Sequence, residues 1–134
     1  MKRVFGLCAL TACMSASLSS TLAQAGEVIA HPSVTLSWAE VRDLYLGERQ
    51  FAGAIKLVPT DNGVLQSDFL AKVVQTDERT YAARWRRKAY RHGLAAPKLL
   101  GSDADVHAFV KATPGAVGYV NATKGAGVKV LDKF

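Results

Sequence analysis

The residues best suited to chemistry fall in two places. The first is Thr60-Asp61-Asn62-Gly63, with Ser67 four residues on. Thr, Asp and Asn favour turns and helix caps, and Gly63 suits a positive φ or the close approach of a ligand to the backbone. A turn that opens a helix aims backbone N–H groups outward, where a small anion can sit. On residue types alone, Thr60, Asn62, Gly63 and Ser67 read as an ordinary turn with a helix cap. The second place is Arg84, Arg87 and Arg91, a stripe on a predicted helix opposite Trp85 and Ala89, with Lys88 beside it. Such a stripe is either the solvated face of an amphipathic helix or a docking surface for anionic headgroups, polysaccharide or an acidic protein.

Other chemistry finds little support. There is no G-x-S-x-G elbow, Walker loop or H-E-x-x-H pattern, and the acidic residues are scattered over caps and helix surfaces. His31, His92 and His107 are isolated, and no Cys/His/Asp spacing suggests zinc. His107 lies one helical turn after Asp103, so a surface pair is expected there. The chain is expected to be neither an enzyme nor a metal or cofactor protein.

Lys2 and Arg3 precede an uncharged, apolar and small-residue run from Val4 to Leu22, and Ala23-Gln24-Ala25 is a small-x-small site. This is the layout of a secretory signal peptide, with cleavage expected after Ala25 and the protein in the periplasm. An alternative is a lipoprotein signal, since Leu10-Thr11-Ala12-Cys13 resembles a lipobox that would leave Cys13 lipidated. Cleavage after Ala25 removes both cysteines, Cys8 and Cys13, and leaves residues 26–134 as one expected domain. Lys2 and Arg3 are the only charges lost from a chain with 17 basic and 11 acidic residues, so the remainder stays basic. Export and the placing of Tyr81 and Trp85 on an apolar face argue against nucleic acid as a partner.

The elements that must position these residues are legible as local signals. Glu27 to Ala30 reads as a strand. Ser37 and Glu40 form a capping box ahead of a helix with Trp38, Val41, Leu44 and Tyr45 on one face, ending at Gly47. Ala54 to Val58 reads as a strand, 60–63 as a turn, and Leu65, Phe69, Leu70 and Val73 as a helix to about Gln75. Thr76 or Asp77 caps the next helix, which buries Tyr81, Ala82, Trp85 and Ala89 and stops at Gly93. Pro97 marks a connection. Ser102 and Asp105 cap a helix carrying Val106, Phe109 and Val110, and Ala116–Asn121 and Val128–Leu131 are the last strands. Strands alternating with helices predict an α/β layer architecture. Trp38 and Trp85 are expected in the core, and Tyr119 at its edge.

The order of L-S-W-A-E-V-R-D-L-Y-L-G (36–47), I-K-L-V-P-T-D-N-G (55–63), the Trp85 helix and P-G-A-V-G-Y-V (114–120) resembles the substrate-binding proteins of phosphate ABC transporters, in the class II periplasmic-binding-protein superfamily. The resemblance covers most of residues 26–134. It implies an α/β fold with a central mixed sheet flanked by helices, and at this length one lobe of the family's two. Family members commonly carry an R-S-x-G-S-G-T-like turn after the strand. Here Thr60 replaces the arginine and Val64-Leu65-Gln66 replaces the S-G-T cluster, while Gly63 and the helix start remain.

Two functional expectations follow. One is a periplasmic solute-binding-like protein with weak oxyanion (phosphate) binding at Thr60, Asn62, Gly63 and Ser67, a partner protein or a second copy (a homodimer) supplying the missing lobe. The other is a ligand-free protein–protein module of the cell envelope that presents helix 77–92, with Arg84, Arg87 and Arg91, to a membrane transporter or sensor.

Overall fold

The computed structural model describes residues 26–123 and 125–134. Residues 1–25, where a signal peptide or the lipobox alternative is expected and where both cysteines fall, lie outside the described residues. Among the described residues no helix is long and apolar enough to cross a membrane.

Local signals set most of the helices. Helix α1 (Trp38–Tyr45) starts at the expected capping box: Ser37 Oγ accepts from the Glu40 N–H at 3.3 Å, and Glu40 Oε1 accepts from the Ser37 N–H at 3.3 Å. Two orphan donors are thereby satisfied, which is worth about 1 kcal/mol. Strand β1 (Glu27–Ala30) precedes it, and a two-residue-per-strand hairpin, β2 (Phe51–Ala52) and β3 (Ile55–Lys56), follows. Strand β4 (Val58–Asn62) leads into a short helix α2 (Gln66–Phe69) that continues as a π-helical turn, Leu70–Val74. Helix α3 (Glu78–His92) is capped by Asp77, whose Oδ1 accepts from the Thr80 N–H at 2.8 Å, and it stops at Gly93. Strand β5 (Lys98–Leu100), helix α4 (Asp103–Ala112), strand β6 (Ala116–Val120) and strand β7 (Lys129–Lys133) complete the chain.

The fold is α/β, as the residue pattern predicts. Five strands form a mixed sheet in the order β5-β4-β6-β1-β7. β4 runs parallel to both β5 and β6, and β1 is antiparallel to β6 and β7. Side-chain alternation along β1 and β6 separates two cores. Val28, Ala30, Val117 and Tyr119 face α1, the π-turn and α3; Ile29, Ala116 and Val120 face Val106 and Val110 of α4. β6 is buried along its whole length, which is why A-V-G-Y-V reads as continuous rather than alternating.

The P-G-A-V-G-Y-V segment is set by backbone contacts. Gly115 has φ +82°, and a Cβ there would run into the Lys56 carbonyl oxygen. A Cβ at Gly118 would lie 2.6 Å from Val106 Cγ1 and 3.0 Å from Thr60 Cγ2, so α4 can lie this close to the sheet only over glycine.

Four sequence expectations change. Thr60-Asp61-Asn62 is not a turn but the buried end of β4; the turn begins at Gly63. Parallel pairing of Thr60, Asp61 and Asn62 with Lys98, Leu99 and Leu100 overrides their turn preference. The single strand expected over 54–58 is instead the hairpin β2–β3 followed by β4. Trp38 is 36% exposed at the first turn of α1 and is not core. Ala82 and Ala89 are exposed, because among the described residues nothing covers that part of α3.

Candidate functional site

The end of β4 is where the sequence puts its anion-binding candidates, and every one of them is engaged within the fold. Thr60 is fully buried, and its Oγ1 donates to the Lys98 carbonyl at 2.6 Å. Asn62 is also fully buried: its Nδ2 donates to Asp103 Oδ1 at 2.7 Å and to the Tyr119 carbonyl at 3.1 Å, while its Oδ1 accepts from the Val64 N–H at 3.1 Å. The Gly63 N–H donates to the Leu100 carbonyl at 2.8 Å, and the Leu65 N–H to the Asn62 carbonyl at 3.1 Å. Ser67 Oγ donates to Glu78 Oε1 at 2.6 Å. The three successive amides of residues 63, 64 and 65, the natural cradle for an oxyanion, thus all have partners. Helix α2 is a single turn with no side-chain cap, so it adds little dipole to attract an anion.

Between Thr60 and Asn62 lies Asp61, 2% exposed, and it organises the site. Tyr119 Oη donates to its Oδ1 and Tyr81 Oη to its Oδ2, each at 2.8 Å. Among the described residues no cation pairs with it. Burial pushes its carboxyl up to about 6, against the opposing pull of the Tyr119, Tyr81 and Gln66 hydrogen bonds. Burial and then the Asp61 charge drive both phenols far above the usual tyrosine range, so they act only as neutral donors. Above pH 6 the strand end therefore carries a negative charge, which repels an oxyanion placed beside it.

Asp61 also lies at the base of a cleft of about 670 Å³ between α3 and the segment before β5, walled by Tyr81, Ala82, Trp85, Ala89, Pro97 and Leu99. Exposure of Ala82 and Ala89 follows from this cleft. Aromatic packing holds the network: the Phe69 and Tyr119 rings stack at 3.9 Å, and Tyr45 meets Phe69 edge-on at 4.7 Å. Tyr45 Oη donates to the Thr60 carbonyl at 2.8 Å, and Trp85 Nε1 to the Tyr45 carbonyl at 3.0 Å. Trp85 is core as expected, and Tyr119 is fully buried with its hydroxyl on Asp61 rather than at an edge.

The basic stripe of α3 divides. Arg84 Nη1 lies 3.2 Å and Lys88 Nζ 3.4 Å from Glu48 Oε1, and Lys88 also donates to the Gly47 carbonyl at 3.2 Å. These two residues tie α3 to the end of α1. Arg87 and Arg91 point outward together with Arg86, and among the described residues none of the three pairs with a carboxylate. Tyr90, between them, is 92% exposed. The sequence pattern grouped Arg84 with Arg87 and Arg91 by spacing alone; the loop carrying Glu48 separates it.

Sequence reasoning missed Asp61 as the centre of the site. Its signal is the recurrence of tyrosines at 81 and 119 on otherwise apolar faces, since a buried hydroxyl needs a partner. His107 makes no pair with Asp103, whose oxygens are taken by Asn62 and by the Asn121 N–H at 3.0 Å. Among the described residues no group of acidic residues and histidines is placed to hold a metal ion.

No family model matches the chain, and no curated protein is similar to it in sequence. Among solved structures it is similar to an ABC-type phosphate transport receptor from Vibrio cholerae, at 14% identity and a TM-score of 0.48. The match covers 81% of this chain and 45% of the receptor, so the chain spans less than half of the receptor's length.

Proposed function

We propose that this protein is a periplasmic binding module that engages an acidic surface of a membrane transporter or sensor through the outward half of α3, and that the site after β4 is structural. The observation that supports the reading is a contrast between two polar sets. The amides of residues 63–65 and the side chains of Thr60, Asn62 and Ser67 are bonded internally around a buried carboxylate. The guanidinium groups of Arg86, Arg87 and Arg91 are exposed on one helix beside Tyr90. Arginine and tyrosine are the residue types that dominate protein interfaces, and uncompensated positive charge steers association with an acidic partner. The sequence resemblance to phosphate-binding receptors suggests the partner class, a transporter or its sensor. Export by the 1–25 segment belongs to the same proposal.

The experiment is site-specific photo-crosslinking from position 90 in living cells. A discrete adduct with an envelope protein is expected, weakened by high salt and lost in Arg87→Glu/Arg91→Glu. That double variant should keep its unfolding free energy within about 0.5 kcal/mol, since both side chains are exposed. An adduct unaffected by charge reversal would remove the basic face from the account. Saturable binding of inorganic phosphate below millimolar concentration would restore the competing reading, weak oxyanion binding at Thr60, Asn62, Gly63 and Ser67.

A further inference from the structure

A second cavity, of about 490 Å³, opens at the amino-terminal ends of β4 and β5, the opposite end of these strands from Asn62. Its volume falls in the range of small-molecule sites, about 300–1,000 Å³. Leu57, Trp85 and Phe109 are among the apolar residues that line it. Its charged lining is of one sign: Arg49, Lys56 and Lys98 contribute, and no aspartate or glutamate does. The cleft at Asp61 differs, since Asp61 and Glu78 line it along with Arg79 and Arg86.

The three cations are differently engaged. Arg49 Nη1 lies 3.3 Å from Glu40 Oε2 and donates to the Phe51 carbonyl at 3.4 Å, but its Nε is buried without a hydrogen-bond partner. Lys56 and Lys98 pair with no carboxylate among the described residues. We propose that this cavity binds a free organic carboxylate with a short apolar body, its chain on the Leu57, Trp85 and Phe109 surface and its head on Arg49, Lys56 and Lys98. Charge complementarity selects the sign of the ligand, and the apolar lining selects against a bare inorganic anion. The inference is independent of the α3 proposal, because Arg87 and Arg91 do not line this cavity.

Trp85 fluorescence in a Trp38→Phe background reports occupancy, as these are the two tryptophans of the chain. Octanoate, kept below micelle-forming concentration, should give a saturable change; octanol should bind more weakly, octylammonium should not bind, and inorganic phosphate should not compete. Lys56→Glu/Lys98→Glu, two exposed positions, should weaken octanoate by about tenfold or more. Equal binding of octylammonium, an unsaturable response to octanoate, or indifference to the double reversal would overturn the proposal. So would sedimentation with phosphatidylglycerol vesicles without octanoate binding, which would assign the cations to a lipid surface.

Discussion

Replacing Asp61 by Asn should change the pH dependence of stability more than any other single substitution in this fold. The carboxyl is pushed from an ordinary 3.8 up to about 6 in the native state. Between these values the native protein holds a proton that the unfolded chain has released, so stability must fall as pH rises. The contribution is fully present below about 3.8 and is lost as pH passes through about 6. The gap is worth about 3 kcal/mol at 1.36 kcal/mol per unit. Glu27, Glu40 and Asp77 act in the opposite direction, because hydrogen bonds to Thr123, Ser37 and Thr80 respectively are the largest causes lowering their values. Their contributions are present above the ordinary carboxylate range and fade as pH falls through it, overlapping the acid end of the Asp61 window. Urea unfolding of the wild type and Asp61→Asn from pH 4 to 7.5 separates the two effects, since the variant keeps every other group. The difference between wild type and variant should shift against the wild type by about 2.5 kcal/mol across that range, since at pH 4 the unfolded chain has already released part of its proton. A difference that stays level, or that moves in favour of the wild type as pH rises, would show that the two tyrosine hydroxyls outweigh burial and would refute the reasoning.

The remaining stability predictions concern the groups around that carboxylate. Tyr119→Phe should cost about 1.5–3 kcal/mol at pH 7.5, read by the same unfolding assay, because it removes a hydrogen bond to a charged acceptor. The loss should shrink at pH 4.5, where Asp61 is protonated. Gly118→Ala should cost about 1–3 kcal/mol in the same assay, since the new Cβ would lie 2.6 Å from Val106 Cγ1 and α4 would have to shift.

Much of the architecture is readable from local chemistry. The Ser37/Glu40 box, the Asp77 and Ser102 caps and the Gly93 stop set helix limits through bonds between near neighbours, and local patterns report such bonds directly. Thr60-Asp61-Asn62 misleads for the complementary reason. Its residue types favour a turn, but its conformation is imposed by β5, a three-residue strand behind Pro97 whose pairing is visible only in three dimensions. The candidate site was legible in position but not in chemistry. Whether the amides after β4 are free or occupied depends on Leu100 and on the orientation of Asn62, one of them 37 residues away along the chain. Likewise Arg84 looks equivalent to Arg87 and Arg91 by helical spacing, and only the distant Glu48 distinguishes it.

Titration calorimetry with inorganic phosphate tests most directly whether the polar groups after β4 are closed to an anion. With Thr60, Asn62 and Ser67 and the amides of 63–65 already bonded, no saturable heat is expected up to about 1 mM, where binding would be worth only about 4 kcal/mol. A one-to-one isotherm in the micromolar range, abolished by Asn62→Ala or Ser67→Ala, would contradict the account.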